Sequence, residues 1–438
     1  MYIGTLYHGN IQMDRLPPGN EPLVVKGYET TLDIYDNHHR DIPLNFNITG
    51  PTIEYMRDNF PKMIERLRCG FQEGRYEING TLYPNAIPQI ISYEGIRKHI
   101  QKHQELVEEC FGIRTKGFFP PEFCWDPSLV PILKEFDLNW FLFEERLYQW
   151  GKAKKLNFGI LGTYGNFTME IYPEVDAVQL PSVSWMERTH PVEVIGVDSN
   201  IIGLSSQREF SRMGVIFSYL SDKRTLVDVE AGFRDIEKQT DDKAFVWVYC
   251  GDFEYMGYTN PYGYPAAGFA NAAARFSSIY DLLKKKFEVQ FITVDNYLKK
   301  VKPYNKIFMK NGSGTERDSA LRIWTEDPGA ARLNYLADRL REKLYILTII
   351  KRLAKRLDTD AETMQDALNA EKNAWDALLI SENGDTRGWN PTPERRLFGY
   401  EKLAEADRYA DKAINLLLPP DENGQRQQGK TKSKKAKR

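Results

Sequence analysis

Through its first 300 residues the chain alternates short apolar, β-type runs with helical patterns. Segments 2–9 (YIGTLYHG), 43–49 (PLNFNIT), 75–81 (RYEINGT), 115–122 (TKGFFPPE), 138–145 (LNWFLFEE), 176–181 (DAVQLP), 244–252 (AFVWVYCGD) and 289–294 (VQFITV) predict strands. Helices are predicted between them over 52–69, 93–110, 127–136, 207–221, 227–239 and 268–286. The first of these enters after Gly50-Pro51 and stops at Gly70, with proline at the first turn and glycine past the last. Strand and helix in turn is the pattern of βα units on a parallel sheet. Seven or eight such units in about 300 residues fit a (β/α) barrel. A doubly wound sheet fits less well, because no glycine-rich phosphate loop is visible.

From about residue 316 the pattern lengthens, and 328–357, 360–380 and 393–417 carry sustained helical periodicity rich in Ala, Leu, Arg, Lys and Glu. They predict a helical bundle packed on the barrel. After Pro419-Pro420 the chain becomes polar and basic with nothing apolar to bury, the composition of a disordered tail. The expected organisation is a barrel domain over 1–300, a helical domain over 301–418 and a basic tail over 419–438.

Acidic and basic side chains nearly cancel over the 438 residues, leaving a formal net charge of −2. That balance provides no broad footprint for a polyanion and argues against nucleic acid as a partner. Aromatic side chains make up 13% of the chain, many beside Gly, Pro, Asn or Asp, where they suit sugar rings as well as core packing. The opening MYIGTLYHGN has no basic or apolar leader region, and no run is long enough to cross a bilayer. Neither a secretory signal nor a membrane partner is therefore expected. Cys69, Cys110, Cys124 and Cys250 form no CxxC pair, which fits a reducing cytoplasm. Oligomeric state leaves no mark on the pattern.

Barrel enzymes collect their chemistry at the C-terminal ends of strands. The polar residues at those ends are His8, Asn47, Thr49, Glu77, Glu122, Glu144, Glu145 and Asp252. Two of them are unusual. Glu122 lies in FFPPEFCW, a carboxylate in rigid aromatic surroundings. Asp252 ends the most apolar strand of the chain, with Glu254 two residues on and on the same side of an extended backbone. Glycoside hydrolysis needs such a pair, one ionised and one holding a proton, roughly 5–5.5 Å apart for retention and roughly 6.5–9.5 Å for inversion. For most acids a cap or a surface ion pair is the better account. A barrel-mouth position at the end of an apolar strand lifts Glu122 and Asp252 above that reading.

At these residues the sequence resembles glycoside hydrolase family 57, which includes α-amylases, 4-α-glucanotransferases, amylopullulanases and branching enzymes. GFFPPEFCWDP (117–127) looks like the family's nucleophile motif and assigns Glu122 to that role. GDFEYMG (251–257) resembles the acid/base motif and maps onto Asp252, Glu254 and Gly257. GRYEINGTLYPNAIPQI (74–90) is similar to a third motif and places Glu77 near the site, while only His8 in LYHGNIQ remains of a His-rich first motif. WTEDPGAARLNYLADR (324–339) and ENGDTRGWNP (382–391) look like segments that close over the barrel mouth. The resemblance implies an α/β fold, an incomplete (β/α)7 barrel followed by a C-terminal helical bundle. It also implies a retaining hydrolase or transglycosylase acting on α-1,4-linked glucans, with an oligo- or polysaccharide as partner and no cofactor. Substrate contacts are expected from His8, Glu77, Trp125, Trp185, Glu254, Tyr262 and Trp389, with Tyr264 a further wall candidate. Each aromatic has a core-packing alternative.

His99 and His103, four apart on a predicted helix, would suit a deacetylase metal. Their surroundings, RKHIQKHQELVEE, read instead as a solvated face, so no metal is expected. Asp198 and Asn200 stand as weak candidates for sugar hydroxyls, and Cys124 and Cys250 as small buried packing residues. A glycan-binding or regulatory homologue that lost turnover is the alternative from a different class.

Overall fold

The computed structural model describes residues 1–11, 21–152, 160–164, 167–170, 182–212, 214–257, 272–315, 320–388 and 391–418. Seven parallel strands build the core: β1 (Tyr2–Gly9), β2 (Leu44–Ile48), β3 (Tyr76–Asn79), β4 (Gly117–Phe118), β5 (Trp140–Phe143), β6 (Asn200–Ser205) and β7 (Phe245–Asp252). They stand in the order β7-β1-β2-β3-β4-β5-β6, with β3 and β4 joined by one bridge, Gly80 to Phe118. All eight residues of β7 are buried, as expected of a parallel strand covered on both faces. β4 ends early because Pro120 and Pro121 have no N–H to offer a ladder. This is an incomplete (β/α)7 barrel followed by a C-terminal helical bundle. No described helix is long and apolar enough to cross a membrane.

The open seam lies between β6 and β7, where no ladder joins the described residues. A side chain closes it. Gln207, fully buried, donates from Nε2 to the carbonyl of Phe245 at 2.7 Å and accepts the Trp247 N–H on Oε1 at 3.0 Å. Trp247 returns a bond from its indole Nε1 to the Ser205 carbonyl at 2.9 Å. One primary amide thus does for two backbone groups what a neighbouring strand would do. The backbone of Gln207 is left-handed, with φ of 50°, the conformation that aims its amide along the seam.

The bundle consists of Pro328–Arg356, Ala361–Ser381 and Pro393–Leu417. Buried alanines, among them Ala337, Ala374, Ala406 and Ala410, let these helices approach closely. The bundle meets the barrel on the helix Tyr93–Phe111, and here the structure corrects the solvated-face reading. His99 and His103 are both fully buried. His99 Nε2 lies 2.8 Å from Glu382 Oε2, Arg341 pairs with the other oxygen of Glu382, and His103 Nε2 bonds the Ile48 carbonyl at 2.9 Å. Both imidazoles join elements of the fold.

Other expectations shift for local reasons. The helix over 52–69 is two, Gly50–Asn59 and Pro61–Gln72, because Pro61 cannot continue the first. The strand over 289–294 is only Gln290–Phe291, after which Val294–Leu298 is helical. The predicted helix over 207–221 begins at Val215. Helix Glu21–His38, strand Val192–Ile195 and β6 are additional. The expected strand over 176–181 and the tail over 419–438 lie outside the described residues.

Replacing Gln207 by Leu should strand a buried N–H and a buried carbonyl. We expect a loss of about 3 kcal/mol in unfolding free energy, read from urea denaturation. A change under about 1 kcal/mol would mean that the seam does not depend on this amide.

Candidate active site

Strand register sets the mouth of the barrel. His8 of β1 pairs with Asp252 of β7 on one side and with Asn47 of β2 on the other. The His8 ring lies flat on Phe119, with centroids 5.2 Å apart and planes 8° apart, and its Nδ1 bonds Asn47 Oδ1 at 2.6 Å. Burial lowers the pKa of His8 against the pull of Asp252, so the ring stays neutral at ordinary pH. Asp252, 6% exposed, takes Arg212 Nη2 on Oδ2 at 2.9 Å, while the Tyr249 hydroxyl donates to the Asp252 carbonyl at 2.8 Å. Burial works against the charge of Arg212, but Asp252, with Tyr255, Tyr249 and Glu122 behind it, raises its pKa on balance.

Glu254 lies beneath this layer. It is buried, accepts the Asn10 N–H on Oε1 at 2.7 Å and shares that oxygen with the Tyr28 hydroxyl. Burial first, then the charge of Asp252, pushes its pKa up to about 7. Asn10 also reaches across to the bundle, donating from Nδ2 to Asp385 Oδ2 at 3.3 Å. Asp385 stands in a single turn, Gly384–Thr386, whose Gly384 N–H bonds the Asn85 carbonyl at 3.2 Å. The end of a bundle helix therefore brings a carboxylate to the mouth.

Glu122 occupies a strained turn. Its φ is 54° and that of Phe123 is 49°, two successive left-handed residues with full side chains. Each such residue costs roughly 1–2 kcal/mol, a cost that persists only where neighbours hold the shape. Two prolines precede the turn, and Phe123 and Cys124 N–H groups bond the carbonyls of Pro120 and Pro121, both at 2.9 Å. Segment 312–314 clamps it from outside. Trp125 and Gly312 exchange backbone bonds at 2.8 and 3.0 Å, Ser313 Oγ donates to the Glu122 carbonyl at 3.2 Å, and the Gly314 N–H donates to the Phe123 carbonyl at 3.3 Å. The ring of Phe119 packs on both His8 and Phe123, so Glu122's turn and the His8–Asp252 layer share a wall.

Comparison with known proteins adds the lineage. Residues 26–174 match the sequence profile of Glycosyl hydrolase family 57. The match covers 149 of the 438 residues. Alpha-amylase 1 of Dictyoglomus thermophilum is 25% identical over 134 residues, a stretch spanning 30% of this chain and 19% of that protein. Among solved structures, the GH57-type branching enzyme of Pyrococcus horikoshii superposes with a TM-score of 0.68 at 14% identity, over 97% of this chain and 92% of that one. The 4-alpha-glucanotransferase of Thermococcus litoralis gives 0.64 at 14% identity, over 96% of this chain and 60% of that one. At such identities the structural likeness is one of fold.

The remaining expected site residues fall on different surfaces. Glu77 is corrected: register puts it level with Asn45, two residues below the His8–Asn47–Asn79 layer. Its Oε2 accepts the Asp295 N–H at 2.9 Å, just as Asn45 Oδ1 accepts the Val294 N–H at 3.1 Å, so both hold segment 294–295 inside the barrel. Trp125 is corrected too, being 1% exposed and stacked on Phe141 at 4.2 Å within the core. Trp185, half-buried, packs edge-on to Phe210 and beneath Arg188. Tyr262, Tyr264 and Trp389 lie outside the described residues. Asp198 and Asn200 form a hairpin turn, with Asn200 bonded to Glu193 at 2.9 Å. Cys124 and Cys250 are buried, and burial pushes the Cys250 thiol up to about 12.

Two residues with direct access to the acids went unread. Arg212 pairs with Asp252, and Arg208, one turn earlier, donates to the Gly314 carbonyl at 3.4 Å beside Glu122's loop. The strand-end rule would have found them, since both follow β6, but β6 itself was not recognised.

Glu254 yields a test. Its folded pKa of about 7 exceeds the ordinary 4.5, so between these values the native state holds a proton that the unfolded chain has released. Stability is then lost as pH rises through that window. Relative to Glu254→Gln, the wild type should lose roughly 3 kcal/mol of unfolding free energy between pH 4.5 and pH 8. A difference that stays flat with pH would show that Glu254 does not retain its proton.

Proposed function

We propose that this chain cleaves, or transfers, α-linked glucan by a retaining double displacement, with Glu122 as nucleophile and Asp252 as acid/base. The supporting observation is that the Phe119 ring packs on both His8, in register with Asp252, and Phe123, the residue after Glu122, so that the turn of one acid and the strand end of the other share one wall. In the first half-reaction an Oε of Glu122 attacks the anomeric carbon while the leaving oxygen takes a proton from Asp252. In the second, Asp252 removes a proton from water or from a sugar hydroxyl, which displaces Glu122. His8, neutral and held by Asn47 and Phe119, faces the same layer and suits a substrate hydroxyl. Glu254, buried and bonded to Asn10 and Tyr28, serves beneath Asp252 as a polar floor rather than as a substrate contact.

The relatives' names, amylase, branching enzyme and glucanotransferase, favour an α-glucan as substrate. α-1,4 linkages are the form we propose. Four free cysteines suit a reducing compartment, and we place the protein in the cytoplasm. A glycan-binding homologue without turnover is the second reading, favoured by the resting Arg212–Asp252 pair, which occupies the proposed acid.

Incubation with maltoheptaose separates these readings. Shorter products mean hydrolysis, a ladder of longer chains means transfer, and new branch points mean branching. Glu122→Gln and Asp252→Asn should each cut the rate by about a thousandfold, the size expected of a lost acid/base or nucleophile. Turnover that survives in both variants would remove the mechanism, and binding without turnover in the wild type would favour the second reading.

A further inference from the structure

The first bundle helix, Pro328–Arg356, is apolar on two nearly opposite faces. One face, with Leu333, Ala337, Leu340, Leu344 and Leu347, is buried against the other two helices. The other carries Ile346, Ile349, Leu353 and, just past the last turn, Leu357, which are 54, 60, 51 and 68% exposed. Steps of three, four and four residues set them in one stripe about 16 Å long. Scattered exposed leucines are ordinary, but a contiguous stripe opposite a buried face is a second surface to cover. Its charges are arranged about its middle. Glu342 stands seven residues before Ile349 and Arg356 seven after it, and seven residues are close to two turns, so the three share one flank. Glu342 is bonded to Arg339 of its own helix at 2.6 Å, an exposed pair of little weight. Arg356, exposed in the last turn, forms no ion pair among the described residues. Along the helix this flank reads acid, apolar, base.

We propose that this stripe is the interface of a homodimer, in which the Pro328–Arg356 helices of two copies lie antiparallel about a two-fold axis at Ile349. Reversed in direction, the pattern reads base, apolar, acid, the complement of the original. Ile349 then meets its own copy, and Ile346 lies beside Leu353 of the second copy. At either end Glu342 faces Arg356 of the second copy, on the flank that an antiparallel pair brings together. The apolar centre drives association, and the outer charges fix direction, because a parallel pair would set Glu342 on Glu342 and Arg356 on Arg356. The chain's own continuation is no rival occupant. Residues 419–438 hold seven Lys and Arg and no large apolar side chain. They have nothing to lay on the stripe, and their charge would meet Arg352, Lys355 and Arg356. Such a dimer is independent of the reaction proposed above.

Sedimentation velocity of the full chain, from about 1 to about 200 μM, reads the assembly directly. The wild type should shift from monomer toward dimer as concentration rises. Ile349→Glu sets two carboxylates face to face on the axis and should stay monomeric throughout. Because position 349 is exposed in a single copy, that variant should keep the circular dichroism and melting of the wild type. Glu342→Arg and Arg356→Glu should each raise the dissociation constant at least about tenfold, since the contact occurs twice in the dimer. The double variant exchanges the charges and keeps the pairing, so it should return to within about threefold of wild type. A wild type that is monomeric at every concentration would overturn the proposal, whether or not it sediments with phosphatidylcholine vesicles. A dimer that survives Ile349→Glu, or a double variant no tighter than the single ones, would overturn it too.

Discussion

The barrel is short of a strand, and everything at its mouth follows from how that gap is closed. An eighth strand would have satisfied the Phe245 carbonyl and the Trp247 N–H with backbone partners. Gln207 satisfies both with its side chain, at 2.7 and 3.0 Å. The residue that closes the seam also begins the turn after β6, and Arg208 and Arg212 extend from that turn toward Glu122's loop and Asp252. Closure of the sheet and placement of the cations are therefore one structural decision. A looser seam would let the turn drift, and a charge pair at 2.9 Å tolerates little drift before water enters.

A second constraint comes from the bundle. Glu382, 1% exposed, lies between His99 of the barrel's helix and Arg341 of the bundle. Burial, with Arg341 next, holds the His99 pKa well below its ordinary value, so the lasting ion pair is Glu382 with Arg341. Arg387 fixes the following turn without any carboxylate. It donates to Asn334 Oδ1 and the Ser381 carbonyl, both at 2.6 Å, to the Thr386 hydroxyl at 2.9 Å and to the Asn383 carbonyl at 3.2 Å. Burial lowers its pKa to about 9, yet it remains charged at neutral pH. This cation, bonded through Nε and Nη1 to four acceptors, locks residues 381–387, and Asp385 within them takes a bond from Asn10. The bundle completes the mouth as well as covering the barrel.

Much of this was legible in the chain. Period-two runs located β1, β2, β3, β5 and β7 to within about three residues, and the 3.6 period located the bundle helices. Asp252, as the end of the most apolar strand, needed no structure to stand out. The misses have identifiable causes. β6 carries a glycine and follows the polar turn at Asp198-Ser199, so its apolar run looks like a loop. His99 and His103 stand among lysines and glutamates, but they share a helix face with Ile96, Ile100, Leu106, Val107 and Cys110, and the periodicity of that face outweighs local polarity. Trp125 sits close to Glu122 in sequence, but two left-handed residues turn the chain between them. Glu77 obeys the alternation that points it inward. Depth along the barrel axis is set by register, which no single strand encodes.

The electrostatic character of the mouth follows from which groups can keep a charge there. Burial first pushes Glu145 and Glu254 up to about 7, which weakens their negative field near neutral pH, and burial raises Glu144 as well. Burial also leads in lowering the pKa values of His8 and of Arg208, the latter with Arg212 beside it. Arg212 is the cation whose pKa is raised, and Asp252 is the partner that raises it. The field at the mouth is thus anchored on the Arg212–Asp252 pair at 2.9 Å, and the turn after β6 that closes the seam is also what holds that pair in place.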